Sequence, residues 1–163
     1  MQPKTLLEKS HFDVTIKRLC HQLIEVHNDF SQTVIIGLQP RGIFLARRIQ
    51  QELQAILKNK KVMCGELDTT FYRDDFRHHE KPLLAEETDI DFVIKGKNVI
   101  LIDDVFYTGR TIRSALDALL DFGRPEKIEL LVLIDRRLSR HVPITPDYVG
   151  KTIDAVTSEK VRV

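Results

Sequence analysis

Apolar residues recur at Ile16, Leu19, Cys20, Leu23 and Ile24 within SHFDVTIKRLCHQLIEVHNDF, a spacing of three and four that predicts a helix, with Ser10 and Asp13 as candidate N-terminal caps. TVIIGL is a short β-branched run and predicts a buried strand. A second amphipathic helix follows through Ile43, Ala46, Ile49, Leu53 and Ile56. KVMCGELDTTFYRDD reads as extended chain, whereas FRHHEKPLLAEETDIDF is polar, charged and aperiodic and reads as a long loop. Loops of such length inside a domain are usually functional or disordered. NVILID is a third strand and TIRSALDALLDFG a third helix, closed by Gly123 and followed by Pro125. KIELLVLID gives another strand, and the tail from YVGKTI onward is short and extended. The alternation predicts an α/β fold with a central parallel sheet flanked by helices.

Composition narrows this reading only slightly. The 163 residues are 42% hydrophobic and 30% charged, which suits one globular domain spanning residues 1–163 with one core. A formal net charge of +1 argues against a broadly basic nucleic-acid binder but leaves room for a local patch. Cys20 and Cys64 stand alone without metal-ligand spacing, as in a reduced cytoplasmic compartment. Neither a signal peptide nor an apolar run of about 20 residues is present, so no membrane partner is expected.

Ligands of parallel α/β sheets bind at the carboxyl ends of strands. Three such ends carry polar chemistry: GLQPRG, DDVFYTGRT and DRRLSR. In the second, Asp103 and Asp104 stand at the end of VILI, where an ionised carboxylate is costly unless it is hydrogen-bonded or meets a ligand. Thr108, Gly109, Arg110 and Thr111 follow and open a helix. A glycine turn at a helix N-terminus presents N–H groups and a positive dipole end, an anion site that phosphate commonly fills. Two carboxylates for ribose hydroxyls beside a phosphate cradle suit a sugar phosphate. Caps alone, with Asp104 in a turn and Thr111 at the helix start, account for only part of the run. Neither a Walker A lysine nor a G-x-G-x-x-G is present.

VILIDDVFYTGRT resembles the ribose-phosphate signature of type I phosphoribosyltransferases. GLQPRGIFLARRI, GELDTTFYRDD, ALDALLDFGRP, VLIDR and PDYVGKTI resemble, in order, blocks of the PyrR family of pyrimidine-operon regulators and uracil phosphoribosyltransferases. The resemblance implies a sheet with a small hood and a flexible active-site loop. It implies transfer of a phosphoribosyl group from phosphoribosyl diphosphate to uracil, with Mg²⁺ held mainly by substrate oxygens near Asp103 and Asp104. Val105, Phe106, Tyr107, Thr108, Gly109, Arg110 and Thr111 would hold the 5′-phosphate. Gln39, Pro40 and Arg41 would form the diphosphate loop. Arg73, with Asp74 and Asp75, leads into the loop expected to close over substrate across residues 74–90; His78 and His79 there read as solvated. Asp135 and Arg136 would line the base pocket.

The same resemblance implies uridine nucleotides as ligands, a homo-oligomer of two or more chains, and binding of pyrimidine leader mRNA through Arg18, His21 and Lys151. Departures stand beside these. Pro40 replaces an expected threonine, loses an N–H and favours a cis bond. Val26 stands where arginine is favoured. DRRLSRHVPI is longer and differently charged than its family counterpart, although Arg137 and Arg140 can partly replace a lost His-Arg pair if the loop presents them on the same face. The family continues for roughly another strand length past SEKVRV, so the chain is expected to be short there. Two alternatives stay open: a hypoxanthine/guanine phosphoribosyltransferase with the same sugar-phosphate motif, and a mainly RNA-binding regulator with little catalysis.

Overall fold

Five parallel strands form the sheet of the computed structural model, which describes residues 3–72, 88–156 and 158–163. In chain order the elements are α1 (Lys9–His27), β1 (Thr33–Leu38), α2 (Gly42–Ile56), β2 (Cys64–Leu67), a 3₁₀ turn (Thr70–Tyr72), β3 (Asn98–Phe106), α3 (Arg110–Leu120), β4 (Lys127–Arg136) and β5 (Tyr148–Ile153). The spatial order is β2-β1-β3-β4-β5. From β1 the chain steps outward to β2, then crosses back to place β3 on the other side of β1. That reversal opens a crevice between the carboxyl ends of β1 and β3, the place where open α/β sheets bind ligands.

Both sheet faces are covered, so the central strands need apolar side chains on each side. Ile35, Ile100, Ile102 and Leu131 pack with Ile16, Leu19 and Leu23 of α1 and Ile49 and Leu53 of α2. Val34, Ile36, Val99, Leu101 and Val132 form the opposite cluster with Ile112, Ala115 and Leu119 of α3. Two local expectations change. Helix α1 starts at Lys9, with Phe12 N donating to Glu8 O at 2.8 Å and no side-chain cap. Ser10 and Asp13 therefore lie inside it, and Asp13 instead pairs with Arg48 at 3.0 Å. Strand β3 also runs past Asp103 and Asp104, because β4 continues to pair with it as far as Phe106↔Asp135. The two acids are strand residues and not the start of a loop.

The amino end of the sheet carries a buried polar cluster that sequence reading missed. Glu129 Oε2 lies 2.6 Å from His27 Nε2 and accepts the Tyr148 hydroxyl at 2.8 Å, while Lys127 Nζ lies 2.7 Å from Oε1. The Thr33 hydroxyl faces His27 Nδ1 at 3.0 Å. These contacts tie the end of α1 to β1, β4 and β5. Burial pushes the Glu129 carboxyl upward, but hydrogen bonds from Lys127, Tyr148 and His27 outweigh it and hold the group below its ordinary 4.5. A carboxyl lowered in the folded state contributes stability above the unfolded value, and loses it as pH falls through the folded one. Glu129→Gln is expected to cost roughly 2–3 kcal/mol near neutral pH. It is also expected to flatten the loss of stability between about pH 6 and pH 3. Denaturant titrations across that range check both; an unchanged slope would show that Glu129 is not the group responsible.

Candidate active site

Three loops meet at the carboxyl end of the sheet. After β1, Gln39, Pro40 and Arg41 lead into α2, and the Gln39–Pro40 peptide is cis. Gln39 is held from two sides, by its N–H to Leu67 O at 2.9 Å and by Nε2 to Glu66 Oε2 at 3.0 Å. Glu66 also pairs with Arg47 of α2, so the end of β2 braces this loop. Gly42 lets the start of α2 sit directly on β3. A Cβ there would stand 2.5 Å from Ile102 O and 3.1 Å from the Asp103 Cα, both backbone atoms.

At the end of β3, Asp103 Oδ1 accepts the Asp104 N–H at 2.9 Å and Asp104 Oδ1 accepts the Val105 N–H at 2.7 Å. Burial first, and the Asp104 charge second, push the Asp103 carboxyl well above the usual carboxylate range. Asp104 is only 4% exposed. Its Oδ2 lies 3.0 Å from Arg41 Nε but has no aligned hydrogen-bond donor among the described residues. The Arg41 side chain is 53% exposed. A buried carboxylate oxygen without a hydrogen bond, facing a half-free guanidinium, is built to receive donors from a ligand or a hard cation. No group of three or more His, Cys, Asp or Glu side chains is placed to hold a metal among the described residues.

The turn after β3 enters α3 through Gly109, whose φ of 88° is left-handed. Thr108 Oγ1 accepts the Arg110 N–H at 3.3 Å, and Arg113 N closes the first helical bond to Gly109 O at 3.0 Å. Thr111 lies inside the first turn of α3, after its N-cap Gly109, so it is not the cap that the sequence allowed. Phe106 is buried, Val105, Tyr107 and Thr108 are half-buried, and Arg110 and Thr111 are exposed. Helix α3 thus begins directly after this turn, so that its first-turn N–H groups stand at the same end of the sheet as the two acids.

From β4, Asp135 and Arg136 are 8% and 5% exposed. The Arg136 guanidinium lies 4.1 Å over the Tyr107 ring and donates to Val156 O at 3.0 Å. Arg140, which the sequence marks only as a replacement cation for RNA, reaches inward to Asp135 and Tyr107 O. Arg137 is paired in two places with Asp154, at 3.0 and 2.8 Å. The two arginines therefore point to different partners and do not form a replacement pair on one face. Elsewhere, Arg18 donates to Val149 O at 3.2 Å and Gly150 O at 2.7 Å, and Lys151 Nζ donates to Leu6 O at 2.8 Å. His21 is exposed on α1. Burial pushes the Cys20 thiol up to about 12 and Cys64 up to about 11, so neither is an activated nucleophile. Arg73, Asp74, Asp75, His78, His79 and the expected loop through residue 87 lie outside the described residues.

With this geometry in hand, the chain belongs to the phosphoribosyltransferase family, whose phosphoribosyl transferase domain it matches over residues 4–163. It is 43% identical over 158 residues to the bifunctional protein PyrR of Brevibacillus brevis, covering 97% of this chain and 87% of that protein. It is 45% identical over 162 residues to the bifunctional protein PyrR of Actinobacillus pleuropneumoniae, covering 98% and 88%. Among solved structures, a hypoxanthine-guanine phosphoribosyltransferase from Bacillus anthracis superposes with a TM-score of 0.69 at 25% identity, covering 94% of this chain and 86% of that one.

Proposed function

We propose that the chain transfers the phosphoribosyl group of phosphoribosyl diphosphate to uracil, giving uridine monophosphate and diphosphate. The observation that carries this reading is the Asp103–Asp104 pair at the strand-order reversal, with Asp104 Oδ2 buried, 3.0 Å from Arg41 Nε and without a hydrogen bond among the described residues, four residues before the turn at Thr108. In the reaction the anomeric carbon–diphosphate oxygen bond breaks and a bond to the base nitrogen forms, with positive charge building on the ribose in between. No covalent nucleophile is needed; the protein positions the reactants and stabilises charge. Asp103 and Asp104 would orient the ribose hydroxyls, residues 107–111 the 5′-phosphate, and Arg41 the departing diphosphate. An all-oxygen donor set suits Mg²⁺, which Asp103 and Asp104 would help hold and which would neutralise diphosphate charge when bound. Asp135 and Arg136 would border the base. Arg73 and the loop after it would shield the reaction from water.

Diphosphate release measured in parallel with uracil, hypoxanthine, guanine and orotate tests the reading. Turnover with uracil above the others is expected; turnover confined to hypoxanthine and guanine would assign a purine enzyme instead. A cytoplasmic location and a homo-oligomer belong to the same reading.

The second reading, regulation through pyrimidine leader RNA, draws on the likeness to bifunctional PyrR proteins. Its candidate contacts, Arg18 and Lys151, already spend donors on Val149, Gly150 and Leu6 carbonyls. RNA affinity grows with the number of cations available to phosphates. Binding to the leader transcript is therefore expected to be weak and strongly salt-dependent beside robust catalysis. A filter-binding titration with and without uridine monophosphate checks this; tight, nucleotide-stimulated, sequence-specific binding near physiological salt would make the regulatory role primary.

A further inference from the structure

Residues 140, 141 and 142 lie against residues 107, 108 and 109 in matching order. Arg140 donates from one guanidinium nitrogen to Tyr107 O at 2.8 Å. His141 N donates to Thr108 O at 2.8 Å. Val142 sits where a Gly109 side chain would be, its Cγ2 2.4 Å from an ideal Cβ at that position. Arg140 also reaches across to β3 and β4. Its other terminal nitrogen donates to Asp135 Oδ1 at 2.6 Å, and its guanidinium carbon lies 3.8 Å from the centre of the Phe106 ring. Phe106 and Asp135 are themselves register partners at the ends of β3 and β4. One planar side chain thus touches the last residue of β3, the carbonyl of the phosphate turn and the carboxylate bordering the base.

We propose that Arg140 is a positioning residue that joins the base side of the site to the 5′-phosphate turn, so that filling one side raises the affinity of the other. The inference rests on the proposed phosphoribosyl transfer and adds how its two half-sites communicate. A guanidinium is suited to this because its donors are fixed in one plane and can serve two acceptors while stacking on a ring. The charge-assisted link to Asp135 and the neutral bond to Tyr107 O come from different nitrogens, so movement of either loop strains the other. A lysine has one ammonium on a flexible stem and can satisfy either acceptor but lacks the planar bridge.

The test compares wild type with Arg140→Ala and Arg140→Lys in steady-state kinetics, varying phosphoribosyl diphosphate and uracil independently. Ribose 5-phosphate binding is measured by calorimetry on the same three proteins, and their melting temperatures are recorded. For both variants KM for the base and KM for phosphoribosyl diphosphate are expected to rise together by roughly fivefold or more, with kcat changing much less. The dependence of one substrate's apparent KM on the other should disappear. Ribose 5-phosphate should bind roughly fivefold more weakly to Arg140→Ala. A rise in only one KM, full rescue by lysine, or a lower melting temperature with unchanged kinetics would each overturn the proposal. If Arg140→Ala does not fold, Arg140→Lys decides by the same criteria. Wild type that binds ribose 5-phosphate but turns over none of the four bases would overturn the catalytic reading and leave the ribose 5-phosphate comparison to judge Arg140. Wild type that binds no ribose 5-phosphate would overturn both.

Discussion

Asp104→Asn lowers kcat/KM for phosphoribosyl diphosphate by roughly ten- to a hundredfold, the expected loss of a charge-assisted hydrogen bond of about 1.5–3 kcal/mol. The substitution keeps the shape of the side chain and the oxygen that accepts the Val105 N–H. What it removes is the negative charge on the buried oxygen that faces Arg41 and the proposed ribose hydroxyls. Stability should not fall with activity. Asp103 is pushed upward partly by the Asp104 charge, and neutralising Asp104 relieves that repulsion. Asp103→Asn should lower activity as well, through the oxygen it gives up to the proposed ribose hydroxyls and not through loss of a charge, since burial holds its carboxyl well above the usual range. Kinetics within twofold of wild type for both variants, at an unchanged melting temperature, would sink the assignment of these acids to the ribose.

Gly109→Ala is the second variant with a large expected effect. At φ 88° an alanine carries a steric cost of about 1–2 kcal/mol, and its Cβ would stand 2.4 Å from Val142 Cγ2. Either the turn opens or the loop carrying Val142 retreats, and both displace the groups that line the phosphate site. KM for phosphoribosyl diphosphate should rise roughly tenfold or more. Adding Val142→Ala removes the collision but not the backbone cost, so the double variant should recover only part of the loss. Complete recovery would mean that crowding alone matters; wild-type kinetics in Gly109→Ala would mean the turn does not hold the phosphate.

Much of the fold was legible because buried parallel strands are short β-branched runs and the helices between them keep a three-and-four spacing. TVIIGL, NVILID and KIELLVLID each became a strand. The ends were less legible, since pairing with a neighbour decides where a strand stops; β4 carries β3 through both aspartates. The Asp103–Gly109 part of the site could be read because its chemistry is contiguous in the chain. The bracing roles of Glu66 and Arg140 could not, because their partners Gln39 and Tyr107 are 27 and 33 residues away. His27 and Glu129, 102 residues apart, carried no local sign of pairing at all. Ser10 looked like a cap because a helix start often carries one, yet the Glu8 carbonyl begins the helix earlier.

The side-by-side match of residues 140–142 with 107–109 gives the loop after β4 a fixed count as well as a composition. Removing or adding a single residue between Arg136 and Arg140 would slide all three partners one step along the turn. Arg140 would then miss Tyr107, and the residue brought beside Gly109 would no longer be Val142. Such length changes should act on the three contacts together, like a zip that has skipped a tooth, whereas exchanges at exposed Leu138 leave the count intact. Loops grafted here from other phosphoribosyltransferases would therefore have to be chosen by length first and by residue type second.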